Sequence, residues 1–552
     1  MPVINFSYSD LCELIGRDVS RDVLRERIPM LGADLQMMDD DSDEMSFEFF
    51  PDRPDLYSVE GIARALRAFL EFEPGLRSYG VGESDVELKV DPWVDEVRPY
   101  IWSALVEGNE ITDHLIRSMM DLQEKLHLTL GRNRKKVAIG IHDFQTVKPP
   151  FTYTAVEPEG IRFVPLQGTR SMTPAEILRE HDKGTAYAFV LEGKNRYPMI
   201  MDKDGIVLSF PPIINGITTA ITEDTKDIFV DCTGTDINAV QASVNILTTA
   251  LAERGGKIKT VRIRRESEDL LAPDLEPRKM TIDVGYVNSW NGTSLNPQRT
   301  VDCLKRMGLG AAAGDSSIEV LVPAYRADIL HPVDLAEDAA IGYGFERFGT
   351  ELPRRATFGE EIELNRFSNS VRYVMMGLGY MEVVTLSLTN PREQFEAMNL
   401  DAKSPAVRVV NPVSQEHTLI RTSLLPSLLG ILRKNKHRDL PQRIFETGEV
   451  VKGIHNRKLL SAMCIHAKAS FTEEKSLVQG ALAAMGAGFE VAGGNHPSFI
   501  RGRCALVMHE SEEIGVFGEL SPSTLEAFEL KYPTIAFELD LQKLFEITSR
   551  QA

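Results

Sequence analysis

Apolar residues recur along this chain in two rhythms, and the places where the rhythm changes mark its organisation. Near the start, Leu11, Leu14 and Ile15, then Val23, Leu24 and Ile28, fall at helical spacing and predict two short amphipathic helices. Ser9 and Ser20 stand where N-caps belong, and Gly16 and Gly32 where helices stop. An acidic turn, Asp39 to Glu44, leads into the alternating strand SFEFF. The prolines of PDRPDL then break the chain twice, and Ser58 caps the helix VEGIARALRAFL. SYGVGES closes this first domain, 1–80.

From 90 to 270 the pattern is mixed. AYAFVL, PMIMD, IVLSF and DIFVDC are rich enough in β-branched and aromatic residues for strands. INAVQASVNILTTALAERG reads as a long helix ending at Gly255. The third domain, 277–352, opens with a predicted strand, KMTIDVGYV. A helix follows, with Asn296 as N-cap and Pro297 in its first turn, running to Gly308. Strand SIEVLVPAY and a helix after Pro332 complete it. The last domain, 360–552, alternates helices FSNSVRYVMMGLG and SLLPSLLGILRKN with strands EVVTLSL, RIFETGEVV, LLSAMCIHA, IGVFGEL and TIAFELDL. The whole reads as an α+β multidomain chain, as 552 residues require, because single hydrophobic cores do not grow that large.

Composition adds limits. With 43% hydrophobic and 26% charged residues the chain is of ordinary globular type. No apolar run approaches the roughly 18 residues of a membrane span, and the start, MPVINFSYSD, has no basic region before an apolar stretch. Cys12, Cys232, Cys303, Cys464 and Cys504 lie far apart without a CxxC pair. That argues against a thiolate zinc site or a disulfide framework and suits a reducing, cytoplasmic setting. A net charge of −20 argues against a broad nucleic-acid footprint, so any RNA contact is local or shared with a partner.

The densest chemistry lies in PAYRADILHPVDLAEDAAIGYGFERF. Asp334, Glu337 and Asp338 fall at spacings of three and four, which predicts one helical face, with Asp328 just upstream. Four converging carboxylates repel one another unless a cation or basic groups intervene, and a hard cation such as magnesium takes oxygen ligands of this kind. Acidic residues in a helix's first turn also complement its dipole, and spacing alone leaves both readings open. The basic run Arg433, Lys434, Lys436, His437 and Arg438 suits phosphate contact or a solvated helix end. No P-loop is present, and the GxG at Gly308 and Gly310 follows a helix where dinucleotide binding needs a strand.

Four stretches, PDRPDLYSVEGIARAL, FPPIINGITT, RADILHPVDLAEDAAIGYG and VFGELSP, resemble the beta subunits of phenylalanyl-tRNA synthetases of the shorter archaeal and eukaryotic type. The similarity runs in order along essentially the whole chain. It implies an editing-type α/β domain at 90–270 and a winged-helix-like domain at 277–352 that binds Mg2+ through Asp328, Asp334, Glu337 and Asp338. For 360–552 it implies a class II synthetase-like antiparallel sheet domain without a complete active site. A class II core grips the ATP γ-phosphate with a glycine-rich strand and helix start that end in arginine. Here that region reads IGVFGELSPSTLEAFEL, with Gly515 and Gly518 and no arginine.

ATP-dependent ligation of phenylalanine is therefore expected on an alpha-subunit partner, in an α2β2 tetramer acting on tRNA(Phe), with no membrane and no DNA. The helix TVDCLKRM, with only Lys305 and Arg306, gives no basis for DNA binding. An apolar phenylalanine pocket rejects tyrosine's added hydroxyl only about 10²-fold, so a second site that hydrolyses tyrosyl-tRNA becomes chemically necessary. The resemblance puts Ser209, Asp231 and Thr233 in that editing pocket. Their types suit the task, with an aspartate to accept the phenol and hydroxyls to orient water. No Ser/His/Asp triad is visible, and alternation along DIFVDC turns Cys232 away from Asp231. A purely structural, tRNA-holding scaffold with an inactive pocket is the alternative.

Overall fold

Ser7, one turn-half earlier than the expected Ser9, caps the first helix, Tyr8–Ile15, by accepting from the Asp10 amide, and the helix stops at Gly16. Ser20, Ser58 and Asn296 cap the helices Arg21–Arg27, Val59–Phe69 and Pro297–Arg306 as their positions predict. The computed structural model describes residues 2–40, 42–266, 268–352 and 357–551, in two units, Met1–Glu351 and Leu352–Ala552.

In the N-terminal unit a three-stranded sheet, with Glu44–Phe49 between Val3–Ser7 and Ala33–Met38, carries the first helices. Two larger sheets follow. One has five strands in the order Val81–Gly82, Lys257–Lys259, Tyr100–Glu107, Asp227–Gly234, Val137–Asp143. The other has seven, in the order Ile214–Asn215, Val207–Phe210, Tyr197–Met201, Phe151–Val156, Glu87–Val90, Val261–Arg264, Asp269–Ala272.

Helix Ile237–Glu253 packs on the five-stranded sheet and is buried at 12 of its 17 positions. Its hydroxyls survive there because they turn back onto their own helix. Ser243 donates to Ala239 O at 2.8 Å, Thr248 to Val244 O at 2.7 Å and Thr249 to Asn245 O at 2.7 Å. Beyond it, strands Arg278–Asp283, Ser317–Val322 and Gly310–Ala313 form a second three-stranded sheet beside helices Val284–Asn291, Pro297–Arg306 and Pro332–Tyr343. One hydrophobic cluster runs from Ile4 to Ala339, so the stretches 1–80, 90–270 and 277–352 share a core.

Three expected strands are not continuous strands. AYAFVL forms the end of helix Asp182–Tyr187 and a 3-10 turn, Ala188–Val190. His181 caps that helix on the Lys183 amide, and Tyr187 packs on Phe189, so local capping and ring packing override β propensity. KMTIDVGYV breaks at Asp283, whose carboxylate accepts from the Tyr286 amide and starts helix Val284–Asn291. EVVTLSL pairs only at its ends, as Met381–Glu382 and Leu388–Thr389.

The C-terminal unit is a seven-stranded sheet in the order Met381–Glu382, Gln442–Lys452, His455–Ile465, Thr534–Asp540, Glu512–Leu520, Phe499–His509, Glu490–Gly493. It is antiparallel except for its first pair. Alternation divides its side chains between two cores. Phe445, Leu460 and Cys464 join helices Glu363–Gly377 and Phe471–Ala484 on one face, while Ile444, Met463 and Ile465 join helix Leu425–Lys434 on the other. Phe499–His509 and Glu490–Gly493 were not foreseen from the sequence.

Candidate functional site

Strand Asp227–Gly234 lies between Tyr100–Glu107 and Val137–Asp143, paired to both. Alternation sends Cys232 to the face of helix Ile237–Glu253, beside Ser243, where burial raises its thiol far above the ordinary range. Asp231 and Thr233 take the opposite face. Asp231 lines a cavity of about 360 Å³ with Ser209, Phe210 and Ile213, closed by Glu124 and His127 of helix Asp113–Leu128 and by Arg134. Thr233 does not line it: its buried hydroxyl accepts from Arg98 Nε at 2.9 Å.

The cavity's polar groups are held from several elements. Asp231 Oδ2 lies 2.6 Å from His142 Nε2, and both side chains are buried. Asp231 Oδ1 makes no hydrogen bond, and the buried Ser209 Oγ has no partner. His127 Nε2 accepts from the Ile139 amide at 2.8 Å, and burial pulls this ring's pKa down to about 4, so it is neutral near pH 7. Hydrogen bonds from His127 and Arg134 hold the Glu124 carboxyl well below its usual range. Arg134 donates to Pro212 O at 3.2 Å and Ile213 O at 2.9 Å and lies 4.2 Å from the centre of the Tyr187 ring. It is delivered by a left-handed turn in which Arg132, Asn133 and Arg134 have φ of 47°, 54° and 65°. Such a turn costs about 1–2 kcal/mol per residue, strain that is commonly stored at functional sites. The cavity thus combines apolar walls with a carboxylate that has one free oxygen.

His142, His127, Glu124 and Arg134 were missed in the sequence. A signal for His142 exists: it stands in Val137–Asp143, whose seven positions are all buried, where a histidine needs polar partners.

The four carboxylates expected to hold magnesium do not gather. At 100° per residue, Glu337 and Asp338 diverge: Asp338 turns into the core and Glu337 to solvent, where it makes no ion pair. Arg326 supplies the positive charge. Its guanidinium binds Asp328 at 2.7 and 2.9 Å and Asp338 at 2.8 Å. Burial nonetheless pushes the Asp338 carboxyl up to about 6, against the pull of Arg326 and Arg53. Asp334 Oδ2 accepts from the Leu330 and His331 amides, each at 2.7 Å, and so caps its own helix.

In this arrangement no three of these carboxylates bring oxygens within 4.8 Å of one another, and Asp334 and Glu337 retain free oxygens. Among the described residues, Cys464, His466 and Glu473 do gather in this way. There a 2.9 Å His466–Glu473 hydrogen bond and Arg443, 4.0 Å from Glu473, already complement the charges.

In the C-terminal unit, Arg421 is buried against Glu446 at 2.9 Å and donates to Glu449 O at 2.8 Å and Thr385 Oγ1 at 2.6 Å. Three of its five N–H donors are thereby engaged within the unit. Gly515 and Gly518 serve strand packing, since a Cβ on either would strike a neighbouring strand's carbonyl, Glu538 O or Arg503 O. In the basic run, Arg433 pairs with Glu393 and Lys436 with Glu529, each at 2.7 Å. Tyr373 and Met376 of helix Glu363–Gly377, and Met381, Val384 and Leu386 after it, are exposed, Val384 at 87%.

Family models match three stretches: a B3/4 domain at residues 109–262, a tRNA synthetase B5 domain at 280–345 and a phenylalanyl-tRNA synthetase beta chain CLM domain at 349–541. The phenylalanine–tRNA ligase beta subunit of Methanothrix thermoacetophila is 47% identical over 98% of this chain and 100% of its own length. That of Methanosarcina barkeri is 46% identical over 99% of each, and that of Methanocaldococcus jannaschii 40% over 98% and 100%. The crystal structure of an N-terminal fragment of the phenylalanyl-tRNA synthetase beta subunit from Pyrococcus horikoshii is similar, with a TM-score of 0.60 at 37% identity. It covers 62% of this chain and 100% of the fragment.

Proposed function

The chain belongs to the phenylalanine–tRNA ligase beta-subunit family, and from that premise we propose that it removes tyrosine from mischarged tRNA(Phe) while an alpha partner performs the ligation. The observation that carries this reading is the Asp231 carboxylate, one oxygen held and one free, in a cavity with the unpartnered Ser209 hydroxyl. A phenol entering the cavity donates to Asp231 Oδ1; a phenylalanine ring leaves that charged acceptor unsatisfied. Water, oriented by Ser209 Oγ, adds to the ester carbonyl, and the bond to the tRNA ribose oxygen breaks to give free tyrosine and tRNA. Cys232 faces away, so no thioester intermediate enters.

The alpha partner follows from the family and from two features of the C-terminal unit. The phosphate-gripping arginine is absent from IGVFGELSPSTLEAFEL, and Arg421 is buried in an ion pair with Glu446. The exposed apolar run at Met381, Val384 and Leu386 is the surface such a partner covers. The α2β2 stoichiometry, the cytoplasmic setting and the winged-helix-like reading of 277–352 complete the proposal. Magnesium, if it binds at the acidic helix, takes Asp334 and Glu337 from this chain and its remaining ligands from elsewhere.

The test is deacylation of tyrosyl-tRNA(Phe) by the two-chain complex. Asp231→Ala is expected to slow it about 10- to 150-fold, the equivalent of losing a charged hydrogen bond of about 1.5–3 kcal/mol, while charging with phenylalanine persists. Undiminished hydrolysis in Asp231→Ala and Ser209→Ala alike would sink the reading.

A further inference from the structure

Asp231 cannot orient itself. A lone carboxylate rotates about its terminal torsion, which is broad and roughly two-fold, and presents either oxygen. Here one neighbour removes that freedom. In the strand register Asp231 stands opposite Gly140, and His142 stands opposite Phe229. The imidazole therefore reaches Asp231 diagonally, across position 140, and glycine there is what keeps the diagonal open. A Cβ at Gly140 would run into both the Asp231 carboxylate and His142 Nε2.

The ring is fixed from its other side as well. His142 Nδ1 lies 2.8 Å from Thr219 Oγ1, and Thr219 is itself fully buried. The hydroxyl is closer to this nitrogen than to its alternative acceptors, Gly216 O at 3.2 Å and Leu208 O at 3.4 Å. Because a carboxylate only accepts, Nε2 donates to Asp231 Oδ2 at 2.6 Å, with Nδ1 held against the Thr219 hydroxyl. The order Thr219, His142, Asp231 thus ends with Oδ1 as the free acceptor of a group lining the cavity.

We propose that His142 is a positioning residue of this cavity: it locks the Asp231 carboxylate so that the free oxygen selects a hydroxyl on the bound amino acid, and Thr219 locks His142. This rests on the reading of the cavity as the site that deacylates tyrosyl-tRNA(Phe). The selected chemical class is an aromatic ring carrying a hydroxyl donor. An unsubstituted ring gains nothing from the lock.

The experiment measures deacylation of tyrosyl-tRNA(Phe) and of phenylalanyl-tRNA(Phe) separately, in the two-chain complex, and takes their ratio. A merely structural role lowers both rates together and leaves the ratio alone; a positioning role lowers the ratio. In His142→Leu the ratio is expected to fall about 10- to 100-fold, toward its value in Asp231→Ala. His142→Gln, whose amide nitrogen reaches the place of Nε2, is expected to recover most of it. Thr219→Val, which leaves the ring unanchored, is expected to lie between wild type and His142→Leu. Should His142→Leu fail to fold by its melting profile, Thr219→Val decides alone, through a partial fall in the ratio. A wild-type ratio in folded His142→Leu and Thr219→Val, with the ratio lost in Asp231→Ala, overturns the inference and spares the hydrolytic reading. A wild-type ratio in Asp231→Ala as well removes both.

Discussion

The cavity wall at His127 depends on a ring that stays neutral, and its titration gives a residue-scale test. Its pKa is about 4 in the folded chain against 6.5 ordinarily, because burial penalises the charged form. As pH falls the unfolded chain takes up this proton first. The stabilisation is therefore complete above about 6.5 and is lost as pH drops through 4. By linkage the residue accounts for up to about 3 kcal/mol of that loss. His127→Gln, which keeps an acceptor for the Ile139 amide, is expected to flatten this part of the profile. Urea unfolding of both proteins between pH 4 and 7 measures the difference. Gly140→Ala tests the neighbouring strand: its methyl group displaces Asp231 or His142 and is expected to cost about 1–3 kcal/mol in the same assay.

Among the elements, helix Pro332–Tyr343 shows where charges are structural. Replacing Arg326 by Met leaves Asp328 and Asp338 without their cation and is expected to destabilise the N-terminal unit by about 3–5 kcal/mol. The pair Asp334→Asn with Glu337→Gln keeps the cap's shape and exposes nothing new, so its expected cost stays under about 1 kcal/mol. Melting of the isolated chain is expected to be the same in magnesium and in chelator; a clear rise with magnesium would restore a closed site.

This helix also marks what a sequence discloses. Ser20, Ser58 and Asn296 were readable as caps, and Cys232 as turned away from Asp231, because each depends on residues within a turn or two along the chain. The 100° that separates Asp338 from Glu337 was readable too, but not that the core lies under one of them. His142 and Asp231 are 89 positions apart and meet only through a register that pairs Asp231 with Gly140. Thr233 shares Asp231's face, yet Arg98, 135 positions earlier, fills the space before it. The carboxylate of the candidate site was legible from residue type and resemblance; its support was not, because it is assembled from distant strands.

Each unit has hydrophobic clusters of its own: among the described residues, the buried members of the first lie between Ile4 and Ala339, and those of the second from Val371 onward. A fragment of residues 1–351 is expected to fold alone with its own melting transition, and near-ultraviolet circular dichroism during heating checks this. In the full chain, Met381→Asp with Leu386→Asp is expected to weaken association with the alpha partner tenfold or more, about 1.4 kcal/mol, by titration calorimetry.

The reach of the first cluster, from Ile4 to Ala339, also sets a clock. Strand Val3–Ser7 finds Glu44–Phe49 as soon as both leave the ribosome, but the core beneath them closes only when the helix carrying Ala339 has emerged. At synthesis rates of about 5–20 residues per second that wait lasts roughly 15 to 60 seconds. Until then Phe47, joined in turn by Leu66 and Phe229, belongs to a nascent chain with an unfinished interior. A growing polypeptide of this kind exposes apolar surface that a chaperone can cover.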